Sequence, residues 1–165
     1  MVAFLDGRVR VRWEPVAVAE PLLRSLVAEL TGRDPGPLHH TCPFCGSVEH
    51  GRPYVEDAVD VSVAHAPGLT LVAASIAGPV GVDLEPHADD AWVRFEAIGK
   101  ARGTGLVDLG GPAATVLLEE SLDIPDHAAV VVVLSAPAKE GAPASTARPR
   151  TAPREARRRS RPPGR

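Results

Sequence analysis

Asp83, Glu85, Glu96 and Lys100 are the residues whose types and spacing could do chemistry together. Asp83 and Glu85 stand two apart in Pro79-Val80-Gly81-Val82-Asp83-Leu84-Glu85, a strand-like run. Side chains alternate along a strand, so both carboxylates project from one face. Glu96 and Lys100 stand four apart in a run predicted to be helical from about Asp90, with Asp89 or Asp90 as N-cap and Gly103 as stop. They therefore share one helix face. Strand and helix can offer three carboxylates and one ammonium to a single point, which is the equipment for holding a hard divalent cation against a phosphate. Taken singly, each has a plainer reading. Asp-x-Glu can be a solvated strand edge, and Glu/Lys at i,i+4 a surface ion pair worth about 0.2–0.5 kcal/mol. Lysine usage points the other way. The chain has two lysines, Lys100 and Lys139, and otherwise uses arginine. A lysine kept inside an acidic cluster suggests a compact charge able to give up a proton.

These side chains need a scaffold, and 165 residues at 44% hydrophobic suit one domain with a core rich in Ala and Val. The formal charge of −3 divides unevenly: residues 136–165 carry nine Lys/Arg against two Glu, a net +7, which leaves −10 for residues 1–135. The expectation is a folded acidic body over 1–135 and a disordered basic tail over 136–165, whose Pro, Ala, Arg, Ser and Gly cannot bury enough to offset ordering entropy. No apolar run reaches membrane-spanning length, and the N-terminus lacks a charged head followed by an apolar block. A cytoplasmic enzyme or binding protein, with no membrane partner, is expected.

Gly7 to Trp13 alternates Val and Arg and predicts a half-buried strand. Pro21 to Thr31 predicts a helix with an apolar face of Leu22, Leu23, Leu26, Val27 and Leu30, and Gly32 as its stop. Gly32 to Pro53 is loop-like and contains Cys42-Pro43-Phe44-Cys45, with His39, His40 and His50 nearby. Two reduced thiols in a loop is the preferred reading. A structural zinc at Cys42/Cys45, completed by histidine, or a redox pair is the alternative. Val59–His65 and Leu69–Ile76 predict a hairpin turned at Pro67-Gly68, with His65 at the turn end where it reaches a ligand or solvent. Ala113–Leu118 and His127–Leu134 predict two further strands.

Three blocks in order resemble the 4′-phosphopantetheinyl transferase superfamily, of the surfactin-synthetase-activating type. Gly51-Arg52-Pro53 is similar to its Gly-Lys-Pro, and Val61-Ser62-Val63-Ala64-His65-Ala66 to its strand ending in Ser-His-Ser. Gly81 to Glu85, then Trp92-Val93-Arg94-Phe95-Glu96-Ala97, Lys100 and Gly103-Thr104-Gly105-Leu106, resemble its metal strand and Trp-x-x-Lys-Glu-Ala-x-x-Lys helix. The resemblance implies an α+β fold of two similar sheet-plus-helix halves, about 1–77 and 78–135, with the second reduced and coenzyme A in the cleft between them. It implies transfer of the phosphopantetheine arm of coenzyme A to a serine of an acyl- or peptidyl-carrier protein. In that reading Asp83, Glu85 and Glu96 would ligate Mg²⁺, and Glu96 would help deprotonate the serine. Lys100 would neutralise the leaving group, and Arg52 and His65 would hold nucleotide phosphates.

The sequence also departs from the pattern: Phe95 replaces a lysine, Ala64 and Ala66 replace serines, and only ten residues separate Glu85 from Glu96. These departures motivate one alternative, a non-catalytic coenzyme-A- or partner-binding member of the same fold. The cysteine loop and arginine tail motivate another, a zinc-stabilised nucleic-acid-associated protein. Nucleic acid is not the expected partner.

Overall fold

The computed structural model describes residues 1–15, 18–42, 45–49, 51–56, 58–86, 89–104 and 114–135. The expected disordered tail at 136–165 and the Gly105-Leu106 end of the helix motif lie outside the described residues. The chain is mixed α+β. In order it forms β1 (Val2–Phe4), β2 (Val9–Pro15), α1 (Ala19–Thr31), β3 (His39–Thr41), β4 (Arg52–Tyr54), β5 (Asp60–Ala66) and β6 (Leu69–Ser75). There follow β7 (Val80–Pro86), α2 (Asp90–Arg102), β8 (Val116–Ser121) and β9 (His127–Leu134). The first sheet has strand order β1-β2-β6-β5 and the second β7-β9-β8, while β3 and β4 form a separate ribbon. Among the described residues, no helix is long and apolar enough to cross a membrane.

Side-chain alternation sorts the apolar residues into layers. One face of the first sheet, with Val61, Val72 and Ala74, packs under Leu23, Leu26 and Val27 of α1. Its other face, with Val9, Val11, Leu71 and Ala73, meets Val80, Val82, Leu84, Val131 and Val133 of the second sheet. The outer face of that second sheet, with Val130 and Val132, is covered by Val93, Ala97 and Ala101 of α2. Neighbouring edges of the two sheets meet where β5 runs beside β7 in the same direction. The join uses side chains. Asp60 Oδ1 accepts from the Val80 N–H at 2.9 Å, and Ser62 Oγ accepts from the Val82 N–H at 3.1 Å.

Most predicted elements form, with shifts that have physical causes. The first helix starts at Ala19, ahead of Pro21, and Gly32 ends it in the left-handed conformation. The predicted loop at Gly32–Pro53 contains the β3–β4 ribbon, in which His39 faces Tyr54 and Thr41 faces Arg52. Three-residue strands are too short to show an alternation. The strand predicted at Ala113–Leu118 lies instead at Val116–Ser121. Its residues are nearly all exposed, so no apolar alternation fixes its ends. β1 was not predicted, although Asp6-Gly7 ahead of an alternating run is a hairpin signal.

At Gly81 the backbone of α2 comes down directly onto β7. A Cβ there would fall on the Ala97 carbonyl oxygen and crowd the Ala101 N–H. Gly81→Ala is therefore expected to push α2 outward and cost about 1–3 kcal/mol, read as a lower denaturant midpoint with an unchanged m-value.

Candidate metal and phosphate site

Gly81, Asp83 and Glu85 alternate onto the face of β7 that α2 covers, opposite Val132, Val130 and Ala128 of β9. Asp89 caps α2, its Oδ1 accepting from the Ala91 N–H at 2.6 Å. Gly103 closes the helix in the left-handed conformation, its N–H donating to the Gly99 and Lys100 carbonyls. With both ends fixed and the contact at Gly81 setting the height of the helix, Glu96 and Lys100 descend onto the strand carboxylates.

One oxygen each of Asp83, Glu85 and Glu96 lies within 4.8 Å of the others. Among the described residues this is the only such group of three or more His, Cys, Asp or Glu. Octahedral coordination at about 2.1 Å places ligand oxygens roughly 3–4 Å apart, so the triple needs little contraction to share a cation. Asp83 is 2% exposed. Its Oδ1 accepts from Lys100 Nζ at 2.5 Å, while its Oδ2 is buried without a hydrogen-bond partner among the described residues; only a protonated Glu96 could donate to Asp83. A buried carboxylate oxygen left in this way is costly unless something positive meets it. One ammonium against three carboxylates leaves two negative charges uncompensated. All the donors are oxygens, which suits a hard cation. The Glu96 carboxyl is pushed above the ordinary glutamate range, first by partial burial and then by repulsion from Asp83 and Glu85, with Lys100 opposing.

Beside this cluster a cavity of about 280 Å³ opens between the β3–β4 ribbon, β5 and the end of α2, lined among others by Arg52, Ser62, Lys100, Gly103, Thr104 and Cys42. Arg52 reaches it from β4, with Nη2 donating to Asp60 Oδ1 at 2.5 Å. Burial raises the Asp60 carboxyl above its usual range, opposed by Arg52 and by the Val80 N–H. The structure thus brings Arg52, Lys100 and the three carboxylates into one region. His65 is not among the residues lining the cavity. It is exposed near the end of β5, with Nδ1 hydrogen-bonded to Thr70 Oγ1 at 3.1 Å.

Phe95, where a phosphate-binding lysine would stand in the resemblance, is partly exposed and stacks on Trp92 with ring centroids 5.9 Å apart. Cys42 is buried and Cys45 exposed, and neither forms a disulfide. The Gly46 N–H donates to the Cys42 carbonyl in a tight turn. No third ligand among the described residues joins the two thiols, and His50 lies outside those residues. Reasoning from sequence missed Asp60, Ser62 and Thr104. Asp60 and Ser62 share the strand periodicity of β5, but their partners are backbone N–H groups twenty residues away, which no local pattern marks. Neither the protein-family models nor the curated proteins compared with this chain give a match.

The raised Glu96 carboxyl has a consequence for stability in metal-free protein. A carboxyl held above its unfolded value is protonated more readily in the folded state, so its ionisation costs stability once pH exceeds the ordinary glutamate value of about 4.3. Glu96→Gln is expected to stabilise the metal-free protein at neutral pH. The advantage should shrink on acidification and vanish near about pH 4; thermal melts at several pH values check this.

Proposed function

We propose that this protein is a Mg²⁺-dependent 4′-phosphopantetheinyl transferase that moves the phosphopantetheine arm of coenzyme A to a serine of an acyl- or peptidyl-carrier protein. The observation carrying the proposal is the unpartnered buried Asp83 Oδ2 within a triple of carboxylate oxygens, with Lys100 held against the same aspartate. The ordered resemblance of residues 51–106 supplies the reaction, and the α+β architecture is compatible with it.

In this reading Asp83, Glu85 and Glu96 hold Mg²⁺. The bound cation would draw charge from the pyrophosphate and lower the barrier to displacement. The carrier serine Oγ forms the new P–O bond at the phosphorus bearing pantetheine, and the bond to the second phosphate breaks to release adenosine 3′,5′-bisphosphate. Glu96 takes the serine proton, directly or through water. Lys100 compensates the negative charge gathering on the leaving group. Arg52, held by Asp60 and lining the cavity, would hold the nucleotide phosphates. The phosphate role of His65 rests on the resemblance. Its Nε2 has no partner among the described residues.

The test is incubation with coenzyme A, Mg²⁺ and several apo carrier proteins, watching for the phosphopantetheine mass on serine. Folded protein that modifies none of them would refute catalysis, and coenzyme A binding without transfer would favour the non-catalytic alternative motivated by Phe95. Glu96→Gln and Lys100→Ala should each lower the transfer rate by about 10²–10⁴-fold. Mg²⁺ at about a hundred times its dissociation constant should stabilise the wild type by about 2.7 kcal/mol and leave Asp83→Asn unshifted.

A further inference from the structure

We infer that Thr104 is a ligand-binding residue whose hydroxyl donates a hydrogen bond to a phosphate oxygen of the anion held in the cavity; the inference rests on the transferase reading above. Thr104 lines the cavity together with Arg52 and Lys100. Its Oγ1 is buried and has no hydrogen-bond partner among the described residues. A buried hydroxyl without a partner costs stability, and the cost disappears only when something polar enters the space beside it.

The backbone around Thr104 is fixed. Its N–H donates to the Gly99 carbonyl at 3.2 Å, just beyond the left-handed Gly103 that closes α2. This fixes where the Thr104 Cβ stands on the cavity wall. Gly103 also makes room for the neighbouring cation, since a Cβ there would lie 3.0 Å from Arg52 Nη1. Bare carbonyls at a helix C-terminus would disfavour an anion. Here the Gly99 and Lys100 carbonyls are taken by the Gly103 and Thr104 N–H groups, so side-chain donors set the character of the cavity. Arg52 and Lys100 each stand against one carboxylate, Asp60 and Asp83, yet both side chains remain about a third exposed and line the cavity. These two cationic heads with one hydroxyl donor match a phosphate oxygen better than a neutral or cationic group.

A hydroxyl that serves only the fold and one that serves a ligand make opposite predictions for Thr104→Val. Deleting an unsatisfied buried hydroxyl should leave the melting temperature unchanged or raise it, while weakening the ligand. The experiment titrates adenosine 3′,5′-bisphosphate calorimetrically into wild type, Thr104→Val and Thr104→Ser with Mg²⁺ present, alongside thermal melts without nucleotide. The expected result is about tenfold weaker binding for the valine variant, near-wild-type binding for the serine variant, and no loss of melting temperature in either. Wild-type protein that fails to bind the bisphosphate overturns the transferase reading and this assignment with it. Wild-type binding matched by Thr104→Val overturns the assignment alone, as does a valine variant that melts lower than wild type.

Discussion

The contact of α2 with β7 at Gly81 governs the rest of the site. Helices ordinarily ride on a sheet at a distance set by side chains on both surfaces. Here one strand position has no side chain, and Ala97 and Ala101 are the facing helical residues. The helix sinks locally until backbone meets backbone. Glu96 and Lys100 flank that contact on the helix, and Asp83 and Glu85 follow it on the strand. A helix held higher would leave Lys100 short of Asp83 and separate the three carboxylates. The capped N-terminus at Asp89 and the left-handed Gly103 keep the helix from sliding to escape the contact.

The second constraint is the seam between β5 and β7. Two strand edges side by side would ordinarily either pair through their backbones or leave donors unsatisfied. Asp60 and Ser62 instead accept the Val80 and Val82 N–H groups. This spaces the strands wider than a sheet ladder while still satisfying the donors, and it ties β7 to the first sheet. The Asp60 oxygen that accepts from Val80 also holds Arg52. One carboxylate thereby links the strand that carries Asp83 to the ribbon that carries the cavity's second cation.

Much of this was legible in the sequence because it is written in local periods. The alternation of β7 puts Asp83 and Glu85 on one face, the i,i+4 spacing of α2 puts Glu96 beside Lys100, and Asp89 and Gly103 mark the helix ends. The convergence of strand and helix could be anticipated, since a short connection leaves the helix little choice but to fold back over its strand. Arg52 could be named but its partner could not, because the pairing with Asp60 depends on how the β3–β4 ribbon docks against β5. His65, expected at the turn end of its strand where it reaches a ligand or solvent, lies there exposed, with Thr70 directly across the hairpin hydrogen-bonded to it. Thr104 stood within the Gly103-Thr104-Gly105-Leu106 block without a role of its own. An unpartnered hydroxyl is a property of what surrounds it, and the surroundings come from three separate stretches of chain.

A cluster with two uncompensated negative charges works against the fold that carries it, and the structure shows what offsets the cost. The opposite face of β7 buries Val80, Val82 and Leu84 in the central layer, and α2 buries Val93, Ala97 and Ala101 against β9. Each element bearing a charged ligand is thus anchored by an apolar face that the charges do not touch. At about 1.5–3 kcal/mol per fully buried aliphatic side chain, these contacts oppose the repulsion among the buried Asp83 and the half-buried Glu85 and Glu96. The same anchoring limits how far the carboxylates can move apart by backbone motion. Displacing the Asp83 backbone would take the apolar face of β7 with it, and lifting α2 would break its contact at Gly81. Three carboxylates and one ammonium are thus gathered with a net negative charge that a cation could relieve.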